Sequence, residues 1–188
     1  MVKQKMQRSL EKTLRLPPSV TATLREGIAV MHGPKGQVTR SFVHPRVDIR
    51  FENGEFTLFP SAKKVNRADK MYVGSLFAHL KNMVKGVTEG FTYELKICSG
   101  HFPMSVSVQQ NQFIVKNFIG EKVPRVMTIK PGATVKVEGD KVYVTAIEKE
   151  LAGSVASDIE QLMRRPGFDN RVFQDGIYII NKAGKPIH

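Results

Sequence analysis

The sequence has no tryptophan and only one cysteine, Cys98, among 188 residues. A lone thiol cannot close an intrachain disulfide, and it rules out a zinc site held by several cysteines. This usage fits a reducing cytosol. Ile97-Cys98 falls in a strand-like run, so the thiol reads as a small buried hydrophobe. No apolar run approaches the about 18 residues that suggest a membrane span. Met1 to Arg8 is basic, but no apolar segment follows it, so residues 1–12 read as a polar tail and not a signal peptide. Five histidines, at positions 32, 44, 79, 101 and 188, are scattered with no His-x-His or HExxH spacing, and no metal site is expected. Acidic residues are also in short supply: 17 Asp and Glu face 29 Lys and Arg, a net charge of +12. Solubility needs far less, and an excess of this size points to a polyanion, most simply nucleic-acid phosphate.

What is present is enough apolar material for real cores, at 41% of residues, arranged in two successive patterns. Val20, Ala22 and Leu24 alternate with threonines, and Val47, Ile49 and Phe51 alternate with Asp48 and Arg50, which is the period of half-buried strands. Glu26-Gly27, Gly33-Pro34-Lys35-Gly36 and Glu52-Asn53-Gly54 mark turns, the last containing the Asn-Gly pair favoured in tight hairpins. Five or six short strands are expected over residues 13–60. The period then changes. Val73, Leu76, Phe77, Leu80, Val84 and Val87 form a helical stripe, with Asn66 as N-cap, Asp69 three residues on, and an end by Gly86–Gly90. His79 falls off this stripe and reads as solvated or RNA-facing.

The second half repeats this order. Strand-like runs cover 91–99, 104–110, 112–118, 123–130, 134–138 and 141–146, with Gly139-Asp140 as a hairpin turn. Leu151, Val155, Ile159 and Leu162 give a second helical stripe. Thr145 and Glu148 stand in capping-box spacing before it, Pro166-Gly167 stops it, and residues 171–182 read as a terminal strand. Val30 to Gly36 also aligns with Ile114 to Gly120 at an offset of 84 residues, each an apolar strand end followed by residues tolerant of positive φ. The expected fold class is α+β: two tandem similar domains, each an antiparallel sheet structure packed on one helix. The expected division is a tail at 1–12, a first domain at 13–90 and a second domain with a C-terminal RNA-binding tail at 91–188.

No convergent set of titratable groups or cofactor cradle is visible, so neither catalysis nor a cofactor is expected. Gly33-Pro34-Lys35-Gly36 lacks Walker spacing and precedes a strand, whereas a phosphate loop opens a helix. The basic residues do cluster: Lys63, Lys64, Arg67 and Lys70; Lys116, Lys122, Arg125 and Lys130 around Asn117; and Arg164, Arg165, Arg171 and Lys182. Any one cluster could be a solvated face; three clusters and the overall charge favour phosphate contacts. With no tryptophan and the phenylalanines mostly in strand runs, a stacking platform is not expected, and recognition of folded RNA by backbone and shape is.

Arg171-Val172-Phe173-Gln174-Asp175-Gly176-Ile177-Tyr178-Ile179 resembles the terminal signature of the universal large-subunit ribosomal protein six family, protein nine in eukaryotes. Lys81 to Phe91, His101-Phe102-Pro103-Met104 and Asn117 to Lys122 resemble the same family in its archaeal–eukaryotic form, in the family's order from about Leu16 to Lys182. The resemblance implies a duplicated α+β fold and direct binding to large-subunit ribosomal RNA, chiefly by the second domain. It implies a cytoplasmic, ribosomal location near the stalk base and subunit interface, beside neighbouring ribosomal proteins and translation factors, and no membrane. It points to Arg171, Lys182, Lys122 and Arg125 as contacts, with Asp175-Gly176 a structural turn. The chain departs from the family before Arg171. Where the family has an aliphatic and then a basic residue, Arg165 and Phe168 stand here with Pro166, and Arg164 or Arg165 is expected to take over the basic position. The alternatives are an assembly factor or RNA chaperone of related fold, an RNA-processing enzyme, and a protein-binding β module; the last leaves the charge unexplained.

Overall fold

Turn chemistry and period-two spacing give the first part of the chain six strands: β1 (Lys12–Arg15), β2 (Thr21–Arg25), β3 (Ile28–Gly33), β4 (Gly36–Ser41), β5 (Val47–Glu52) and β6 (Glu55–Pro60). The computed structural model describes residues 10–62, 65–169 and 171–187. The tail at 1–9, Lys63 and Lys64 lie outside these. The chain divides into two compact units between Glu89 and Gly90.

In the first unit the strands form two antiparallel three-stranded sheets, ordered β1-β6-β5 and β2-β3-β4. Asn53-Gly54 closes the β5–β6 hairpin with both residues at positive φ, 51° and 77°, the geometry of the tightest hairpin turn. Helix α1 (Arg67–Thr88) packs on β3 and β6. Its start is fixed reciprocally: Asn66 Oδ1 accepts from the Asp69 backbone N–H at 3.0 Å, and Asp69 Oδ2 accepts from the Asn66 N–H at 2.8 Å. Asp69 is fully buried and ion-paired to Arg46 at 2.7 Å. Ala29, Met31, Phe56 and Leu58 from the sheets meet Val73, Leu80 and Val87 from the helix in the core. His79, expected to be solvated or RNA-facing, is half-buried, with Nε2 3.4 Å from the Arg40 guanidinium.

Gly33 departs from expectation in its reason. Its φ is not positive, unlike that of Gly36 at 137°. The need is steric. A Cβ at Gly33 would lie 2.7 Å from the Val87 carbonyl oxygen, the same oxygen that accepts from the Lys35 N–H at 2.9 Å. The hairpin tip at Pro34-Lys35 is thus tied to the last turn of α1, which a side chain would push away.

The second unit contains β7 (Phe91–Cys98), β8 (Ser105–Gln109), β9 (Gln112–Lys116), β10 (Arg125–Thr128), β11 (Ala133–Glu138) and β12 (Lys141–Ala146). Helix α2 (Lys149–Leu162), β13 (Gly176–Lys182) and β14 (Lys185–Pro186) follow. One antiparallel sheet runs β11-β12-β7-β13-β14 and a smaller one β10-β9-β8. Strand β13 therefore lies between β7 and the short edge strand β14. Helix α2 buries Ala152, Val155, Ala156 and Ile159 against β7, β12 and β13. With Leu95, Phe113, Phe118, Val142, Val144 and Ile177 they form one core. Among the described residues each unit is thus antiparallel sheet on one helix, the tandem α+β arrangement read from the sequence.

Two boundaries moved. Thr145 lies in β12, paired with Thr134 and Thr92, so its hydroxyl does not cap the helix; Glu148 occupies the N-cap without a side-chain cap bond. Strand β9 stops at Lys116 because Asn117 turns into the left-handed region at φ 60° and opens a 3-10 turn over Phe118–Gly120. Ile119 within that turn has φ 46°, costly by about 1–2 kcal/mol for a β-branched residue. The buried Phe118 ring and the neighbouring residues at positive φ hold it there.

Candidate nucleic-acid interface

Most of the basic residues expected as contacts in the second unit are carried by three segments: the Asn117 turn, the end of α2, and the chain from Arg171 into β13. Arg125 fastens the first two together. Its Nε and Nη2 donate to both Glu121 oxygens at 2.8 and 2.7 Å, and its Nη1 donates to the carbonyls of Leu162 and Arg164 at 2.6 and 3.1 Å. The guanidinium also lies 4.4 Å over the Phe118 ring. It thereby satisfies carbonyls that the end of α2 leaves without helical partners. The Arg125 hydrogen bonds hold the Glu121 carboxyl below its usual range against the upward push of burial. Expected from sequence as an RNA contact, Arg125 has its guanidinium committed inside the fold.

Asp175 fastens the third segment. This buried carboxylate accepts from the backbone N–H groups of Gly100 and His101 and from His101 Nδ1. Burial pushes its carboxyl up, but those hydrogen bonds outweigh burial and hold it below the usual range. Gly176 follows because a Cβ there would meet the Tyr178 ring at 3.1 Å. Asp175-Gly176 therefore joins the β7–β8 loop to β13.

Between these fastenings lies a cavity of about 730 Å³, walled by Phe118 and Ile119, the end of α2 from Glu160, and Phe168, Phe173 and Tyr178. Arg165 lies 4.0 Å over the Phe168 ring, Phe168 meets Phe173 edge-on at 5.0 Å, and Phe173 lies 5.0 Å from the His101 ring. One Arg165 nitrogen, Nη1, is buried without a hydrogen-bond partner among the described residues. A second cavity, about 320 Å³, is lined by Tyr93, Ser157, Gln161 and Lys182. Glu160 and Arg164 line both.

The structure thus brings Arg164, Arg165 and Lys182 to adjoining cavities. Arg171 projects into solvent at 90% exposure, gripped by Asp169 at 2.9 Å, a contact that lowers the Asp169 carboxyl and raises the guanidinium. Lys116 and Lys122 are exposed on either side of the 3-10 turn. Asn117 is occupied: its amide donates to the Pro103 carbonyl at 2.9 Å. Lys130 is tied to Asp158 at 2.6 Å. In the first unit Arg67 is exposed at the start of α1. Although no stacking platform was expected, Phe168, Phe173 and Tyr178 come together at the larger cavity. Phe168 and Phe173 lie in the loop between α2 and β13, not in strands. Their spacing between Arg165 and Tyr178 was the available signal. Among the described residues no group of three metal-ligating side chains is present, and no helix is long and apolar enough to cross a membrane.

The family model "Ribosomal protein L6" matches the chain twice, at residues 16–90 and 102–176, one match for each compact unit. The large ribosomal subunit protein uL6 of Methanosarcina mazei is 39% identical over 178 residues, covering 95% of this chain and all of the relative. Those of Methanococcus vannielii and Methanobrevibacter smithii are 38% and 39% identical, covering 94% and 93% of this chain and 96% and 97% of theirs. Duplicated matches over duplicated units, and near full-length archaeal relatives, lead to one conclusion: the chain belongs to the ribosomal protein L6 family.

Proposed function

We propose that this chain binds large-subunit ribosomal RNA directly, through its second unit, near the stalk base, the subunit interface and the factor-binding region. The family is structural and not enzymatic, and its members named above are large-subunit proteins. The role is to hold folded RNA in the cytoplasmic ribosome, next to the ribosomal proteins of the stalk base. The observation that carries the RNA reading is the gathering of Arg164, Arg165 and Lys182 at adjoining cavities in a chain of net charge +12. Arg171, Lys116 and Lys122 extend this surface, with Asn117 shaping the turn between the last two. Lys63, Lys64 and Arg67 of the first unit are secondary phosphate contacts in this proposal. Arg125 serves by holding the surface together.

Sedimentation separates this reading from an assembly factor or RNA chaperone of related fold. In sucrose gradients the chain should co-migrate with mature large subunits and leave them only at high salt. Recovery solely with immature particles would assign it to assembly.

A further inference from the structure

We propose that the two adjoining cavities of the second unit form a receptor for one unstacked RNA nucleotide, its base in the larger cavity and its phosphate between Arg164 and Lys182. The proposal rests on the RNA-binding reading above and names what that surface takes.

The larger cavity has the chemistry of a base and not of a phosphate. Its volume of about 730 Å³ falls within the roughly 300–1,000 Å³ typical of small-ligand pockets. Its walls present aromatic rings, together with the Arg165 guanidinium, whose carbon lies 4.0 Å from the Phe168 ring centroid. Single-stranded RNA bases stack on aromatic side chains and on arginine planes. Polar groups are present on both sides of the hydrogen bond. The buried, unpartnered Nη1 of Arg165 is a donor that lacks an acceptor, and Glu160 is an acceptor. The edge of a base carries both kinds of partner, whereas a phosphate would be repelled by Asp175, a carboxylate that lines this cavity and not the smaller one.

The smaller cavity has two cations in its lining against one carboxylate, Glu160. Arg164 and Lys182 converge there with Ser157 and Gln161, and neither cation forms an ion pair among the described residues. Because Glu160 and Arg164 line both spaces, a base in one and its own phosphate in the other are neighbours. A peptide could fill the aromatic space with an apolar side chain, but it would need an acidic residue beside it to reach Arg164 and Lys182, whereas every nucleotide of an RNA chain carries its own phosphate.

The test uses the full chain and large-subunit ribosomal RNA. Phe168→Ala/Phe173→Ala should weaken binding roughly 5- to 150-fold, the range for one stacked base, with the salt dependence unchanged because no phosphate contact is lost. Phe168→Leu/Phe173→Leu keeps apolar bulk, and Arg165→Lys keeps charge without the plane; both should weaken binding while the melting temperature stays near that of the parent. A benzophenone photocrosslinker replacing Tyr178 should label one nucleotide in the assembled subunit. Unchanged affinity in the folded leucine and lysine variants would overturn the receptor while RNA binding stands, and so would a crosslink to a ribosomal protein. A parent chain that fails to bind the RNA at all would overturn both readings.

Discussion

Replacing Arg164 and Lys182 together by alanine is expected to weaken binding to large-subunit ribosomal RNA about five- to eightfold near 0.1 M salt, and to lower the salt slope by about one phosphate contact. Each neutralised phosphate releases condensed counterions, so the observed affinity scales with salt to a power of about −0.7 to −0.9 per contact. At 0.1 M that is roughly five- to eightfold for the one phosphate that the two cations share. Stability should be nearly unaffected. Arg164 contributes to the fold through its backbone carbonyl, which accepts from Arg125 and survives truncation of the side chain. Lys182 is exposed at the end of β13. Lys130→Ala supplies the control, since this cation is already engaged by Asp158 and Ser154 and should leave both affinity and slope unchanged. Filter-binding titrations at several salt concentrations read both quantities. Equal losses for Lys130 and for the Arg164/Lys182 pair would mean that net charge, and not this site, binds the RNA.

Asp175→Ala is expected to destabilise the second unit by about 3 kcal/mol, a melting-temperature drop of roughly 15 °C for a domain of this size. The substitution leaves the Gly100 and His101 N–H donors without their acceptor and removes the partner of the His101 imidazole. The β7–β8 loop and the chain entering β13 then lose their junction, and with it the wall of the larger cavity, so RNA binding should fall as well. The same carboxylate predicts a pH dependence. Its folded-state pKa lies below the usual value, so its contribution is full above the unfolded carboxyl pKa, about 4, and is lost as pH falls through the folded value. Thermal melts from pH 7 down should show a loss beginning near pH 4 that is shallower in Asp175→Asn. An Asp175→Asn profile parallel to the parent would remove Asp175 from this role.

The architecture was legible because it rests on periodicities. Val47, Ile49 and Phe51 alternate as a strand, and Val73, Leu80 and Val87 recur as a helix, without reference to anything distant in sequence. Asn66 and Asp69 were legible for the same reason: a capping box is local. Thr145 had the same spacing to Glu148, but strand pairing with Thr92 and Thr134 claimed it, and that depends on residues far away in the chain. Gly33 was read as a backbone requirement and proved to be a clearance requirement, set by Val87 more than fifty residues on. The site shows the same limit. Clustering of Arg164, Arg165 and Lys182 could be read as charge, but charge does not say which cation faces outward. Arg125 and Lys130 looked equivalent to Lys122 until Glu121 and Asp158 were seen to hold them. The aromatic cavity was missed because Phe168, Phe173 and Tyr178 converge only when Asp175 fixes the loop that carries them.

The central claim is that the second unit holds the principal contacts to large-subunit ribosomal RNA. Crosslinking of purified large subunits, with mapping of both peptide and nucleotide, tests it most directly. Crosslinks are expected to concentrate in peptides covering residues 116–122 and 161–182, to a small set of neighbouring nucleotides. Crosslinks confined to peptides within residues 16–89 would contradict it.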